Sequence, residues 1–234
     1  MEAIVLAGGF GTRLRSVVDD VPKPMAPVQG RPFLAFLLDQ LVDAGFATAI
    51  LAVGYLHQAI CSYFGNDYRG LALLYSVEEK PLGTGGAMRL ACTKVTERDV
   101  FVLNGDTYLQ LDFKTMLQAH VRAAAQLSLA VCRVPDVARY GSLNVSGGIV
   151  RAFREKGHNG LGWINGGVYV FGPGLRQLLR DTDAKSFSFE YDVLMPNLSN
   201  IRPLAFRTAG LFLDIGVPED YLKAEQLLGK PDKK

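Results

Sequence analysis

A glycine-rich turn near the N-terminus is the first stretch whose residue types could do chemistry. Gly8-Gly9-Phe10-Gly11-Thr12-Arg13-Leu14 directly follows a short apolar run. Glycines let the backbone approach a ligand closely, and successive amide N–H groups form a nest that binds anions. The Gly-Lys-Ser/Thr ending of a P-loop is absent, and Leu14 stands where a dinucleotide fingerprint needs its third glycine. The turn therefore indicates either an anion-binding loop or an ordinary tight turn.

Cations flank this turn and favour the first interpretation. Arg13 and Arg15 stand at its end, and Lys23 lies between Pro22 and Pro24. Because prolines restrict the backbone on both sides, the lysine would be presented from a stiff segment. Solvated surface cations are the alternative, but the position of these cations beside a glycine nest favours contacts with phosphate.

Two aspartates end apolar runs further along the chain. Asp106 follows Leu103-Asn104-Gly105, and Asp214 follows Leu211-Phe212-Leu213. Mg²⁺ prefers carboxylates together with phosphate oxygens and water, so the pair would suit this ion if the fold brings them together. From the residues alone, each is as readily an aspartate of a turn or a helix cap.

Alternating strand and helix patterns must position these residues. Apolar runs predict buried strands over residues 4–7, 49–53, 71–77 and 100–103, and helical spacing predicts helices over residues 32–42, 58–64 and 85–92. Gly45 is expected to cap the first helix. Strands with helical crossovers imply a doubly wound α/β sheet, Rossmann-like and mainly parallel, which binds ligands at the carboxyl ends of its strands.

The pattern changes beyond about residue 127. Strand-like segments over residues 127–134, 142–145, 150–153 and 163–171 predict mixed or antiparallel strands added to the same sheet, with helices over residues 174–180 and 217–228. No linker or internal repeat divides the chain. We therefore predict one domain over residues 1–228 and a frayed tail over residues 229–234.

These motifs together resemble a known family. Leu6-Ala7-Gly8-Gly9-Phe10-Gly11-Thr12-Arg13-Leu14, followed by Lys23-Pro24-Met25, resembles the signature of the sugar-1-phosphate nucleotidyltransferases. The resemblance covers about residues 2–226, implies the nucleotide-diphospho-sugar transferase fold, and is most similar to the D-glycero-α-D-manno-heptose 1-phosphate guanylyltransferases. It continues in order through Pro81-Leu82-Gly83-Thr84-Gly85-Gly86, Asn104-Gly105-Asp106, Tyr140-Gly141, Glu155-Lys156, Asn165-Gly166-Gly167 and Asp214-Ile215-Gly216-Val217-Pro218.

The resemblance implies an activity, a cofactor and a set of site residues. The family joins a sugar 1-phosphate to a nucleoside triphosphate with Mg²⁺ and releases pyrophosphate. Arg13, Lys23 and Asp106 are implied as catalytic residues, and Asp106 and Asp214 as the metal ligands. In the first half, about residues 1–126, the implied nucleotide-binding residues are Leu6, Ala7, Gly8, Gly9, Gly11, Thr12, Arg13, Glu78, Gly83, Thr84, Gly85 and Asp106. In the second half, residues 127–228, the implied sugar-phosphate ligands are Gly141, Glu155, Lys156, Asn165 and Gly167.

Glu78 favours guanine as the base. It lies where thymidylyl relatives place a base-reading glutamine, and a carboxylate there could accept both N1–H and N2–H₂ of guanine. Glu79 could take this role instead, or Glu78 could be a solvated turn residue. The resemblance of residues 1–27 and 156–160 to the heptose subgroup implies GTP and D-glycero-α-D-manno-heptose 1-phosphate as substrates, with mannose 1-phosphate as the alternative. The GDP-heptose product would then serve a bacterial capsule, S-layer glycan or lipopolysaccharide.

Composition and sequence patterns argue against a nucleic-acid-binding, membrane-bound or secreted protein. With 25 Lys+Arg against 23 Asp+Glu, the net charge of +2 argues against a general nucleic-acid or membrane-surface binder. The longest apolar run spans only residues 33–38, no signal-peptide pattern is present, and the cysteines are far apart, so we expect a cytoplasmic protein. A homodimer is expected because two-fold dimers are the commonest assemblies.

Two alternative functions belong to other classes of protein. A dinucleotide-dependent oxidoreductase would leave Lys23 unexplained and lacks the third glycine. A non-catalytic nucleotide-sugar-binding paralogue would have no chemical need for Arg13, Lys23, Asp106 and Asp214.

Overall fold

A ten-stranded mixed sheet with helices on both faces forms the centre of the molecule, in a computed structural model that describes residues 1–9, 21–157, 159–216 and 218–228. The strands are β1 (Glu2–Leu6), β2 (Pro27–Val28), β3 (Arg31–Pro32), β4 (Thr48–Val53), β5 (Asp67–Tyr68), β6 (Leu71–Val77), β7 (Val100–Asn104), β8 (Thr107–Leu109), β9 (Leu127–Val134), β10 (Ser142–Ser146), β11 (Ile149–Arg154), β12 (Gly162–Phe171), β13 (Leu204–Thr208) and β14 (Phe212–Asp214). The helices are α1 (Phe33–Ala44), α2 (His57–Phe64), α3 (Gly83–Ala91), α4 (Phe113–Arg122), α5 (Pro173–Arg180), α6 (Leu198–Ile201) and α7 (Pro218–Leu227).

The predicted parallel strands lie side by side in the order β6-β4-β1-β7. Within β1, Ala3 and Val5 pack into the hydrophobic cluster on one face of the sheet, whereas Ile4 packs into the cluster on the other face. Because helices cover both faces, the strand reads as an unbroken apolar run rather than an alternating one. Because the four strands are parallel, their carboxyl ends meet at one edge of the sheet.

The second half extends this sheet without a break. β12 pairs antiparallel with β7, and the order continues through β9, β13, β11 and β10. Only β13 pairs in parallel with its neighbour β9 in this part of the sheet, and the other pairings are antiparallel. The mixed arrangement agrees with the prediction from the sequence, and α4 and β13 are among the elements that were not predicted.

Each face of the sheet has its own hydrophobic layer. One layer contains α1 and α4, where the rings of Phe46, Phe101 and Phe113 meet edge to face at 5.3–5.4 Å. The other contains α3, α5 and a π-helix over Phe189–Leu194, where Phe189 packs on Phe171 at 5.1 Å. Both layers draw residues from both halves of the chain.

The described helices are short. α1 has 12 residues and ends at Gly45, whose φ of +80° is the left-handed conformation expected of a glycine cap. In the part of the chain that the structure describes, no helix is long and apolar enough to span a bilayer.

Candidate active site

The carboxyl ends of the parallel strands surround a cavity of about 720 Å³. This is the edge at which doubly wound sheets bind ligands. The residues that line it belong to β1, β4, β6 and β7 or to the segments that follow these strands, and include Leu6, Gly8, Gly9, Lys23, Gly54, Glu78, Glu79, Gly83, Thr84, Asn104 and Asp106.

The start of the glycine-rich turn forms one wall of this cavity. A Cβ on Gly8 would lie 2.9 Å from Glu78 Oε1 and 3.3 Å from the nitrogen of Gly54, so a side chain there would require the Glu78 carboxylate to move. A Cβ on Gly9 would meet nothing within 4 Å. The N–H of Ala7 is used in the sheet, where it donates to Ala52 O at 2.7 Å. Gly8 thus lets the backbone lie close to Gly54 and to the Glu78 carboxylate.

Part of the predicted nucleotide loop lies outside the described residues. This is so for Gly11, Thr12 and Arg13, whose roles stay predictions. Lys23 lies within the described residues. It begins a short 3₁₀ turn, Lys23–Met25, in which Pro24 is buried. This anchored turn presents the Lys23 side chain to the cavity, as the flanking prolines predict.

Lys23, Asp106 and Asp214 come together from three distant segments. Lys23 Nζ lies 2.5 Å from Asp106 Oδ2. β14 pairs with β8 so that Asp214 stands opposite Thr107, the residue after Asp106. The N–H of Ile215 also donates to Asp106 O at 3.0 Å. The two predicted metal ligands are therefore neighbours in the fold.

The surroundings of Asp214 leave negative charge poorly compensated. Its Oδ1 accepts from the N–H of Gly216 at 2.7 Å, and a Cβ on Gly216 would lie 3.3 Å from Lys23 Nζ. Burial raises the pKa of Asp214, the charge of Asp106 raises it further, and Lys23 opposes both effects. A cation between these carboxylates would stabilise them. In the described ranges, no group of three or more His, Cys, Asp or Glu residues forms a metal cluster.

Glu78 and Glu79 both line the cavity but differ in their surroundings. Glu78 Oε2 accepts from the N–H of Leu82 at 2.9 Å, which fixes the carboxylate, whereas Glu79 is exposed. Burial raises the pKa of Glu78, although the bond from Leu82 opposes the rise. The Glu78 carboxylate thus has a fixed orientation at the cavity wall.

The glycines at the start of α3 pack against the segment of residues 182–189. The N–H of Gly85 donates to Phe187 O at 2.9 Å, and a Cβ on Gly85 would lie 2.3 Å from the Phe187 ring. Gly83 and Thr84 line the cavity, and Thr84 Oγ1 accepts from the N–H of Phe189 at 2.9 Å. The amide of Gly85 is thus used within the protein, and its predicted contact with the nucleotide stays a prediction.

Asn165 and Gly167 adjoin the cavity through Asn104. The register between β12 and β9 shifts between Asn165 and Tyr169, and within this irregularity Gly167 has a φ of +72°. Its N–H donates to Asn165 Oδ1 at 2.9 Å, and a Cβ on Gly167 would lie 3.0 Å from Asn104 Nδ2. The irregular strand therefore brings this pair of predicted sugar-phosphate ligands to the end of β7.

Glu190 is a neighbour of this pair that the sequence analysis missed. It lies on the π-helix, a feature frequent at functional sites, and its Oε1 accepts from Asn165 Nδ2 at 2.5 Å and from the Tyr169 hydroxyl at 3.1 Å. Burial raises the pKa of Tyr169 well above its ordinary value, so its hydroxyl remains a donor. No local pattern joins residues 25 positions apart in the sequence.

Gly141, Glu155 and Lys156 form a second group on two packed loops. Gly141 has a φ of +75°, and a Cβ there would lie 2.7 Å from Arg154 O. Glu155 and Lys156 are exposed. Tyr140 connects this group to the strand of Asp214, because its ring packs edge to face on Phe212 at 5.4 Å.

Comparison with known proteins identifies the family. The profile described as nucleotidyl transferase matches residues 2–230. The chain belongs to the nucleotidyl transferase family. It is 42% identical to a D-glycero-alpha-D-manno-heptose 1-phosphate guanylyltransferase from Aneurinibacillus thermoaerophilus, over 97% of this chain and 98% of that protein. A protein of the same description from Campylobacter jejuni is 39% identical, over 94% and 97% of the two chains.

Solved structures of the nucleotidyl transferase family confirm the fold. HddC from Yersinia pseudotuberculosis superimposes with a TM-score of 0.88 at 38% identity, over 97% of this chain and 99% of that one. It has also been crystallised in complex with GMP-PN. Relatives described as mannose-1-phosphate guanylyltransferases are 28–34% identical, and the chain spans 60–64% of their length. The predicted family, enzyme class and α/β fold are confirmed.

Proposed function

We propose that the protein transfers GMP from GTP to D-glycero-α-D-manno-heptose 1-phosphate and releases GDP-D-glycero-α-D-manno-heptose and pyrophosphate. The observation that carries this proposal is the likeness to two proteins so described, which extends over nearly the whole length of each pair of chains. A bacterial capsule, S-layer glycan or lipopolysaccharide would use the product.

The reaction needs charge compensation more than it needs a base. A sugar phosphate has a second pKa of about 6, so it is largely a dianion at neutral pH. One of its oxygens attacks the α-phosphorus of GTP, and the bond from that phosphorus to the β-bridging oxygen breaks as pyrophosphate leaves. Catalysis then consists of aligning two polyanions and stabilising the charge that moves onto the leaving group.

Cations and backbone amides at the cavity are suited to this task. Lys23, held on its anchored turn, would stabilise the α-phosphate in the transition state, and Arg13 would stabilise the departing pyrophosphate. Gly8 and Gly9 leave room at the cavity wall for the phosphates. Thr84 and Gly83 would complete the nucleotide site from the N-terminus of α3, where the helix dipole favours anions.

Asp106 and Asp214 would hold Mg²⁺. The fit is supported by the donor set, two neighbouring carboxylates, and by the burial that disfavours an uncompensated charge on Asp214. When bound, the ion supplies Lewis-acid stabilisation of phosphate charge. Lys23 would then be released from Asp106 and could contact phosphate.

Glu78 is the proposed base reader. Its fixed carboxylate could accept both donors of guanine, whereas uracil or thymine would present carbonyl oxygens to the negative charge. Asn165 and Gly167, together with Glu190, would contact the sugar, and Gly141, Glu155 and Lys156 its hydroxyls and phosphate. Glu190 is a hydroxyl acceptor of the kind that orients a sugar ring.

Two alternatives make different predictions. Mannose 1-phosphate differs from the heptose by lacking one CH(OH) unit at C6, a difference that typically changes specificity modestly. A non-catalytic nucleotide-sugar-binding protein would not need the cluster of Lys23, Asp106 and Asp214, which is complete in this chain.

A pyrophosphate-release assay tests the proposal. The purified protein is incubated with Mg²⁺, with each of GTP, ATP, CTP, UTP and dTTP, and with heptose, mannose or glucose 1-phosphate. We expect the highest kcat/KM for GTP with the heptose phosphate and none after chelation with EDTA. Equal activity with UTP would overturn the assignment of guanine as the base. A preference for mannose 1-phosphate would overturn the sugar assignment. If no pair of substrates gave pyrophosphate, the proposed reaction itself would be wrong.

A further inference from the structure

The carboxylate of Asp220, on the first turn of α7, is almost completely buried and belongs to none of the roles proposed above. Asp220 is 3% exposed and accepts from Arg139 Nη2 at 2.7 Å, from the Tyr140 hydroxyl at 3.2 Å and from Lys223 Nζ at 2.9 Å. Burial alone would raise its pKa, but the bonds from Lys223 and Arg139 hold the pKa below its ordinary value. The side chain is therefore ionised and fully partnered.

Two of these three donors lie on the loop that carries Gly141. The loop is closed by bonds from the N–H groups of Tyr140 and Gly141 to Val137 O, both at 3.0 Å. The Tyr140 phenol has its pKa raised to about 12 by burial and by Asp220, so it donates at any physiological pH. Asp220 thus fixes this loop to α7.

The same loop supports the second predicted sugar-phosphate loop. The N–H of Gly157 donates to Ala138 O at 2.9 Å, and the N–H of Val137 donates to Gly160 O at 3.1 Å. Gly157 directly follows Glu155-Lys156. An attachment that holds the first loop therefore also holds the second.

Asp220 also lies near the proposed metal ligand. Its charge is among those that raise the pKa of Asp214, and Tyr140 packs on Phe212, two residues before Asp214. α7 begins shortly after Asp214 in the chain. One carboxylate therefore links the sugar-phosphate loops to the segment that carries a metal ligand.

We propose that Asp220 is a positioning residue for the sugar 1-phosphate. It holds the loops of Gly141 and of Glu155-Lys156 in place relative to Asp214, so that the phosphate oxygen is aligned with the reacting centre. This rests on the proposed function. Because these loops carry proposed ligands of the sugar phosphate, loosening them should weaken binding of the sugar phosphate while leaving GTP binding intact.

Glu219 provides a matched control on the same helical turn. It also pairs with Arg139, at 3.7 Å, but its side chain is 82% exposed. Exposed ion pairs of this kind contribute little to the stability of the fold. The comparison of Asp220→Asn with Glu219→Gln therefore separates the buried attachment from loss of charge beside Arg139.

The experiment measures kcat, both KM values and Tm for wild type, Asp220→Asn and Glu219→Gln. We expect Asp220→Asn to raise KM for the sugar phosphate about tenfold and KM for GTP less than about twofold, and Glu219→Gln to resemble wild type. Tyr140→Phe, which keeps the charge and removes one donor, should raise the same KM about threefold and provides the test should Asp220→Asn not fold.

The outcomes separate this inference from the proposed function. Equal changes in the two KM values, or a lowered Tm with an unchanged KM for the sugar phosphate, would overturn the positioning role while the reaction stands. A wild-type protein that releases no pyrophosphate with any sugar phosphate would overturn both.

Discussion

The ammonium of Lys23 lies 2.5 Å from the carboxylate of Asp106, 83 positions further along the chain. The lysine therefore neutralises a carboxylate that we propose as a metal ligand. A divalent cation and Lys23 would compete for Asp106 until the lysine contacts a bound phosphate instead. We expect metal and nucleotide to bind together more strongly than either binds alone.

Replacing Lys23 should separate its two roles. Lys23→Gln is expected to lower kcat about 10²- to 10³-fold, because electrostatic stabilisation of the transition state is lost. The same change should tighten Mn²⁺ binding to the nucleotide-free protein, since Asp106 loses its internal partner. Turnover and Mn²⁺ titration followed by electron paramagnetic resonance measure both effects. Lys114→Gln, on the exposed face of α4, is the control, and near-normal turnover of Lys23→Gln would contradict the assignment.

Asp214→Asn should stabilise the protein while it lowers activity. Burial and Asp106 raise the pKa of Asp214, so at neutral pH its ionised form costs folding free energy, whereas Asn keeps the acceptor for Gly216. A gain of about 1 kcal/mol would raise Tm by roughly 2–4 °C in a chain of this size.

The pH dependence of this gain follows from the sign of the shift. The unfolded chain releases the proton at a lower pH than the folded protein does, so ionisation of Asp214 destabilises the fold as pH rises through these two pKa values. The advantage of Asp214→Asn should be largest at pH 8 and shrink as pH falls toward 4. Urea unfolding at several pH values tests this, and a gain that is independent of pH would contradict it.

Glu78→Gln should weaken and broaden base selection. Loss of a charged acceptor is expected to lower kcat/KM with GTP about 10- to 100-fold and to bring UTP closer to GTP, because an amide offers both a donor and an acceptor. Glu79→Gln is the matched control and should change kcat/KM less than about twofold. The reverse order of effects would make Glu79 the base reader.

GTP binding should also depend on pH through Glu78. Burial raises the pKa of Glu78 above 4.5, so the carboxylate that accepts the guanine donors is lost on acidification sooner than an ordinary glutamate would be. Calorimetric Kd values for GTP between pH 5 and 8 should show weakening toward low pH. Titration of the nucleotide phosphates also changes Kd with pH, and Glu78→Gln serves as the control for it. The Kd of Glu78→Gln should lack the additional weakening that protonation of Glu78 causes in the wild type.

Gly85→Ala should destabilise the fold, whereas Gly9→Ala should not. A methyl group at position 85 would lie 2.3 Å from the Phe187 ring, but one at position 9 meets nothing within 4 Å. Overpacking typically costs about 1–3 kcal/mol. Denaturant unfolding compares the two, and equal stabilities would show that Phe187 relaxes without cost.

Local signals explain which parts of the fold could be predicted. The apolar run before Gly8 and the cap at Gly45 are encoded within a few residues, and the structure has both. By contrast, the meeting of Lys23 with Asp106 and Asp214 depends on long-range pairing, and only the family resemblance indicated it.

The unpredicted elements had weaker signals. α4 has an aspartate cap, since Asp112 accepts from the N–H of Thr115 at 3.0 Å, but the helix buries only three residues. β13 has five residues, one of them an exposed arginine, and its place beside β9 is set by pairing. Glu190 depends on the π-helix and on Asn165, and nothing near it in the sequence indicates that partner.

The contacts of residues 182–189 with the first half limit how substrate specificity can be exchanged between relatives. Although it belongs to the second half, Phe187 bonds to Leu82 and Gly85 of the first, and Arg89 Nη1 donates to Thr182 O at 2.6 Å. A chimaera cut near residue 126 would combine the proposed nucleotide-binding half of one parent with residues 182–189 of the other, which pack against α3. Grafts that carry residues 182–189 together with the first half should keep the nucleotide preference of the parent that supplies them, while simple two-piece swaps should express poorly.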